Sequence, residues 1–184
     1  MRLIGGSGIM VESEPGIGSR FHFNIKLKKA RGTEEKKLPV LFQNAEFERT
    51  INILIVEDDE ACSSLLCKLL NFNKNINTAI ADNENDALDN IGSGGFDIVL
   101  MDLNINGVSG IDITQKIRSA ENDVPIIAVS GEAANKIIEN CYKAGMNDFI
   151  TKPFSMNELI NKITNLLKRH KRTAGNAFNF SVPL

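Results

Sequence analysis

The chain of 184 residues has no tryptophan, one tyrosine, two histidines, three cysteines and five prolines. Each shortage removes a class of protein. Cys62, Cys67 and Cys141 are odd in number and lack CxxC spacing, which argues against a disulfide framework and against a zinc site. Three buried small hydrophobes in a reducing compartment are expected instead. With only His22 and His170 present, several imidazole-dependent chemistries are hard to build. No apolar run approaches the roughly 18–20 residues a membrane span needs. The start, MRLIGGSGIMVESEPG, is broken by glycines and soon acidic, so it does not read as a signal peptide. An excess of one charge is also missing. The 21 Lys+Arg against 23 Asp+Glu give a net charge of −2, which argues against a protein that coats nucleic acid or anionic membrane. What is present is ordinary for a folded protein of about one domain plus extra: 42% hydrophobic and 24% charged residues. The expected location is the cytoplasm.

Four stretches follow one another. Residues 1–27 read as β structure, with Pro15, Gly16 and Gly18 supplying a turn before RFHFNIKL. In that run Phe21, Phe23, Ile25 and Leu27 alternate with His22, Asn24 and Lys26, the period of a half-buried strand. A hairpin alone is marginal in water, so this piece needs a partner. Residues 28–50 carry mixed charges without a clear period and read as a linker, with a short apolar patch at 38–42. Residues 51–169 alternate five apolar strands (INILIVEDDE, an apolar run ending in acids, then INTAIAD, FDIVLMD, VPIIAVSG and NDFITKP) with five helical patterns. Strands that are apolar throughout and joined by helices predict a parallel sheet covered on both faces, a doubly wound α/β domain. Ser155 and Glu158 have capping-box spacing at the start of the last helix. Residues 170–184 read as a disordered tail.

In such sheets the ligand site lies outside the carboxyl ends of the strands, at the point where strand order reverses. The first strand ends in Glu57, Asp58 and Asp59, the third in Asp102, the fourth in Ser130 and the fifth in Lys152, followed by Pro153. Any one of these acids could merely cap a helix. Together they make an oxygen-rich rim suited to Mg²⁺, which takes about six oxygen ligands and keeps several waters. Lys152 and the Ser130 hydroxyl suit the oxygens of a phosphoryl group, whose transfer needs mainly positioning and charge neutralisation. Asp102 is the candidate nucleophile, giving an aspartyl-phosphate.

Residues 51–169 resemble the receiver domain of two-component response regulators. The segments ILIVEDDE, IVLMDLNINGVSG, PIIAVSG and DFITKPF match its motifs in order. The resemblance implies a flavodoxin-like fold with strand order 2-1-3-4-5. It implies a metal held by Glu57, Asp58, Asp102 and the Asn104 carbonyl, and phosphorylation on Asp102. It makes Ser130 the switch hydroxyl, Phe149 the switch aromatic and Lys152 the phosphate-binding lysine. Two departures stand out. Asn106 occupies a position where the family usually has Pro, and is expected to loosen the loop. Gly131 replaces a frequent Ala and is expected to open access to the phosphoryl group.

Residues 7–27, SGIMVESEPGIGSRFHFNIKL, resemble the final hairpin of the ATP-binding domain of sensor histidine kinases. A kinase end followed by a receiver is the order of a hybrid histidine kinase. With no upstream ATP-binding boxes in the sequence and no histidine in a plausible phosphoacceptor helix, no histidine autophosphorylation is expected. The expected partners are a histidine phosphotransfer protein or histidine kinase and a downstream protein effector, with no direct nucleic acid contact. The basic run KRHKR at 168–172 reads as a solvated helix end. GSGG at 92–95 precedes a strand rather than opening a helix, so it is no phosphate loop. Two other functions compete with the phosphorylation switch. A Mg²⁺-dependent phosphohydrolase resembling the haloacid dehalogenase family would need a second Asp where Asn104 stands. A purely structural adaptor would leave the whole acid rim without a use.

Overall fold

The computed structural model describes residues 6–16, 18–25, 47 and 49–176. They fall into two units, residues 1–38 and 39–184, each taken here by itself. In the first, β1 (Gly6–Glu14) pairs antiparallel with β2 (Gly18–Ile25) around a turn in which Gly16 has φ +81°. Ile9 lies opposite Phe23 and Val11 opposite Phe21, so the alternation read from the sequence does collect apolar side chains on one face. That face is exposed among the described residues of the unit, with Phe21 67% exposed. Leu27 and most of the expected linker lie outside the described residues.

The second unit is the α/β layer structure. In chain order it holds β3 (Ile51–Val56), α1 (Glu60–Leu70), β4 (Ile76–Ala81), α2 (Glu84–Ser93) and β5 (Ile98–Asp102). The short β6 (Asn104–Ile105) and β7 (Val108–Ser109) come next, then α3 (Gly110–Ser119), β8 (Ile126–Ser130), α4 (Asn135–Lys143), β9 (Asp148–Thr151) and α5 (Met156–Asn176). The sheet order is β4-β3-β5-β8-β9 and every pairing is parallel. Numbered within the domain, that is the expected 2-1-3-4-5.

The apolar runs in the central strands β3, β5 and β8 are explained by the two layers above and below them. Leu54, Val56, Val99, Met101, Ile126 and Ala128 face Ala87, Ile91, Ile113, Ile117 and Cys141 on one side. Ile53, Ile55, Ile98, Leu100, Ile127 and Val129 face Leu70, Leu159, Ile163 and Leu166 on the other. Each such side chain contributes about 1.5–3 kcal/mol by leaving water. Helix starts are fixed by side-chain caps: Asp59 accepts from the Cys62 N–H, Asn83 from Asp86, Ser109 from Ile111, and Ser155 from Glu158.

Several boundaries and burials differ from the sequence reading. The end of the expected linker belongs to the second unit. Phe47 packs against the core and its carbonyl accepts from Asn75 Nδ2 at 3.0 Å, while Arg49 forms an ion pair with Asp97. The last helix continues through the beginning of the expected tail to Asn176, because no proline interrupts it and the first glycine is Gly175. Residues 177–184 lie outside the described residues. Of the three cysteines only Cys141 is buried; Cys62 sits on the exposed first turn of α1 and Cys67 is half-buried.

Candidate functional site

β3 and β5 are neighbours in the sheet, yet α1 carries the chain from β3 outward to β4 at the edge, so the strand order reverses between them. The carboxyl ends of these two strands deliver Glu57, Asp58 and Asp102 to one rim, and the chain leaving β9 adds Lys152. The Lys152 ammonium donates to Glu57 Oε2 at 2.5 Å and to Asp102 Oδ2 at 2.5 Å. Its backbone N–H donates to the Ser130 carbonyl at 2.6 Å, which ties the lysine to the end of β8. The following Lys152–Pro153 peptide is cis.

Burial sets the electrostatics. Glu57 is 8% exposed, and burial pushes its carboxyl pKa up by more than the Lys152 hydrogen bond pulls it down; the nearby Asp102 charge adds to the rise. Burial alone would lower the Lys152 pKa. Hydrogen bonds from the ammonium to Asp102 and Glu57, with the charge of both acids, outweigh it and hold the lysine above its ordinary value. Asp59 stands apart as the α1 cap, and the Cys62 N–H holds its carboxyl below the ordinary value.

Asp102 and Asp58 are each oriented by the loop after β5. The Asn104 N–H donates to Asp102 Oδ1 at 3.0 Å. Beyond it the chain makes a two-residue hairpin, with Asn104 opposite Ser109 and Ile105 opposite Val108. Asn106 (φ +51°) and Gly107 (φ +83°) form its turn, an Asn-Gly pair in left-handed conformation. The Asn106 N–H donates to Asp58 Oδ2 at 2.8 Å, and its side-chain Nδ2 donates to the Asp82 carbonyl at 2.9 Å. Asn106 therefore does not loosen this loop as the missing proline led us to expect. It fastens the loop to two others.

Ser130 is buried at the end of β8, and its hydroxyl accepts from the Glu132 N–H at 3.1 Å. Phe149, on adjacent β9, is 8% exposed and lies in the core cluster with Ala128, Cys141 and Met146. The structure thus joins Glu57, Asp102, Lys152 and Asn104 by direct hydrogen bonds, and Asp58 through Asn106. Ser130 and Phe149 stand on the neighbouring strands without a hydrogen bond to the acids. Asn106 is the site residue whose role the sequence reading missed, although Asn-Gly is a strong hairpin signal.

The side chains gathered here fit a magnesium ion in kind, being carboxylates with no sulfur or imidazole among them. Among the described residues, however, no three Asp, Glu, His or Cys side chains already form a cage. The positive charge between Glu57 and Asp102 is the Lys152 ammonium. A groove lined by Phe47, Phe96, Val124 and Leu167 opens at the amino ends of the strands, away from this chemistry. No helix among the described residues is long and apolar enough to cross a membrane.

These features define a doubly wound domain with an acid-and-lysine rim at its switch point. Residues 53–164, more than half of the chain, match the family model of the response regulator receiver domain, and the chain belongs to that family. It therefore carries a receiver domain of two-component signal transduction. It is 34% identical over 121 residues to the chemotaxis protein CheY of Pseudomonas aeruginosa, covering 65% of this chain and 98% of CheY. It spans about half the length of other curated relatives that it matches, 54% in one case and 52% in another. One similar solved structure is the receiver domain of the sensor histidine kinase PA1611 of Pseudomonas aeruginosa, with a magnesium ion coordinated in its active site cleft. It has TM-score 0.58 and 29% identity, covering 65% of this chain and 98% of that one. Another is the Saccharomyces cerevisiae co-crystal of the histidine phosphotransfer protein Ypd1 with the receiver domain of Ssk1. It has TM-score 0.63 and 28% identity, covering 68% of this chain and 94% of that one.

Proposed function

We propose that Asp102 accepts a phosphoryl group from a phosphohistidine on a histidine phosphotransfer protein or histidine kinase, and that phosphorylation switches a protein-interaction surface. The observation that carries this reading is the Lys152 ammonium at 2.5 Å from both Asp102 and Glu57. An acceptor carboxylate with a fixed cation beside it is what phosphoryl transfer requires of a protein. A carboxylate oxygen of Asp102 attacks phosphorus. The new O–P bond forms as the P–N bond breaks, and the electron pair of that bond stays on the imidazole nitrogen.

Lys152 then meets the phosphoryl oxygens, and the Asn104 N–H keeps the Asp102 carboxyl in orientation. Glu57, Asp58, Asp102 and the backbone carbonyl of Asn104 would hold a magnesium ion, which supplies charge neutralisation to the phosphoryl oxygens when bound. The magnesium in the PA1611 receiver domain and the Ypd1 complex of the Ssk1 receiver domain support the cofactor and the partner class.

The phosphoryl group brings a charge of about −1.5 to −2 by analogy with other phosphorylated side chains. Ser130 leaves its Glu132 hydrogen bond to meet a phosphoryl oxygen, and the space it vacates admits the Phe149 ring. That repacks the surface formed by α4, β9 and α5, which a downstream protein effector reads. The test is incubation with a labelled phosphohistidine donor and magnesium. Wild-type protein is expected to take up label and Asp102→Asn to take up none; unchanged uptake by the variant would overturn the acceptor assignment.

We further infer that the β1–β2 hairpin is the end of a kinase ATP-binding domain, so that the chain is part of a cytoplasmic hybrid kinase. The segment VESEPGIGSRFHF and the antiparallel pairing about its Pro-Gly turn support this. Removal of residues 1–38 is expected to leave phosphoryl uptake by Asp102 intact, because every acceptor group lies in the second unit. Lost uptake would give the hairpin a part in the acceptor chemistry and sink this reading.

A further inference from the structure

We propose that Asn106 is a positioning residue for the divalent cation, acting through Asp58. The inference rests on the receiver reading above and goes beyond it to a residue at which this chain departs from the family pattern. Asp58 is one of the acids offered for the ion and is half-buried, two residues past the end of β3. One of its oxygens, Oδ2, accepts the Asn106 backbone N–H at 2.8 Å. The other oxygen takes part in no hydrogen bond among the described residues and is left for the cation. A carboxylate held by one N–H cannot swing freely, so its second oxygen presents a fixed lone pair instead of paying orientation entropy when the ion arrives.

The donor is itself held from several sides. Asn106 and Gly107 form the hairpin turn in the left-handed conformation, and Ile105 beside them is fully buried. The Asn106 side chain crosses to the Asp82 carbonyl at 2.9 Å, so the loops after β3, β4 and β5 meet at one residue. Asparagine suits the task for two reasons. It tolerates the left-handed region better than most residues, and its amide supplies a donor to the neighbouring loop. A proline is excluded in this conformation, since its φ is locked near −65° and it has no backbone N–H to give Asp58.

The experiment measures magnesium affinity by calorimetric titration of the full chain, without any phosphoryl donor. Wild type, Asn106→Gly and Asn106→Pro are compared, each first checked for a cooperative thermal transition. Asn106→Gly keeps the backbone donor and the left-handed turn, so its affinity should stay within about threefold of wild type. Asn106→Pro should bind about 10–100-fold more weakly, the loss typical of removing a partner behind a metal ligand. Equal affinity in wild type and the proline variant would overturn the proposal.

If the proline variant does not fold, the amide NMR signal of Asn106 decides instead. In Asp58→Ala this signal should move upfield and lose its exchange protection, with the fold retained. An unmoved signal would overturn the proposal. A wild type that binds no magnesium defeats the cofactor reading, and this inference falls with it. Magnesium binding by wild type that is matched by the proline variant defeats the positioning role alone.

Discussion

A Cβ on Gly110 would stand 2.0 Å from the backbone carbonyl oxygen of Asp102. The first residue of α3 is thus pressed against the residue proposed to accept the phosphoryl group, and the Gly110 N–H donates to the neighbouring Leu103 carbonyl at 3.1 Å. Only glycine allows that approach. It places the start of α3 directly behind the acceptor and closes the β6–β7 hairpin over the rim.

Gly110→Ala should therefore damage both stability and uptake. The obstacle is backbone, which cannot turn away as a flexible side chain would. Overpacking of a core costs about 1–3 kcal/mol, and at roughly 2–4 °C per kcal/mol the melting temperature should fall by several degrees. Phosphoryl uptake should fall with it, since Asp102 must shift. A melting temperature within about one degree of wild type would show that the loop yields at little cost.

Glu57 gives the stability a pH dependence whose sign follows from its burial. Its pKa in the folded protein lies above the ordinary 4.5, so the folded state holds the proton more tightly than the unfolded chain does. Stability consequently falls as pH rises from the ordinary value through the raised one. Lys152 titrates far higher, and its contribution stays present until pH passes its own raised value. In Glu57→Gln the fall should vanish from the acid-to-neutral window, leaving a constant offset for the lost bond to Lys152. Urea denaturation at steps from about pH 4 to pH 8 measures the difference between the two proteins. Parallel curves would remove Glu57 as the titrating group.

Arg118 carries the opposite end of the domain. Its guanidinium donates to the carbonyls of Asn122, Val124 and Gly145 and to Asn147 Oδ1, at 2.8–3.1 Å. Asn147 Oδ1 also accepts from the Ile126 N–H at the start of β8. One side chain thus joins the end of α3, the start of β8 and the turn before β9. Arg118→Ala should cost about 1–2 kcal/mol, because several partly buried acceptors lose their donor together. Arg118→Lys should recover little, lacking the planar fork. Phosphoryl uptake well below the melting temperature should be unchanged, since the acid rim is at the other end. A stability loss under about 0.5 kcal/mol would mean that water replaces the guanidinium.

How much of this was legible in the sequence depends on the range of the signal. The five strands announce themselves as apolar runs flanked by acids or turns, and their order followed from the resemblance of the motifs. The acids and the lysine were readable because each lies one or two residues beyond such a run. The hairpin at 104–109 has a local signal in its Asn-Gly turn, but its strands of two residues each are too short for an alternation to show. The ties from Asn106 to Asp58 and Asp82 join residues 48 and 24 positions apart, and no periodicity encodes them. Arg118 was invisible for the same reason, since all its partners are backbone or amide oxygens with no sequence signature. The reach of the last helix to Asn176 is hidden because a charged run such as 168–172 suits a solvated helix interior as well as a helix end.

Ser130 offers the sharpest test of the switch, because its hydroxyl is already committed. It accepts the Glu132 N–H at 3.1 Å and lies buried behind Lys152, whose backbone N–H donates to the Ser130 carbonyl. If a phosphoryl oxygen draws that hydroxyl away, the Glu132 amide loses its partner and the Phe149 ring gains room. Beryllofluoride with magnesium serves as the phosphoryl mimic, and amide NMR reads both places. In wild type the Glu132 and Phe149 signals should shift at the same mimic concentration as that of Asn104, whose N–H bonds Asp102. In Ser130→Ala the Asn104 shift should remain, since the acceptor is intact, while the Phe149 shift should be largely lost. The two signals part only if the hydroxyl carries the coupling between acceptor and aromatic ring. A Phe149 shift of equal size in the variant would mean that the ring responds to the acceptor by another route.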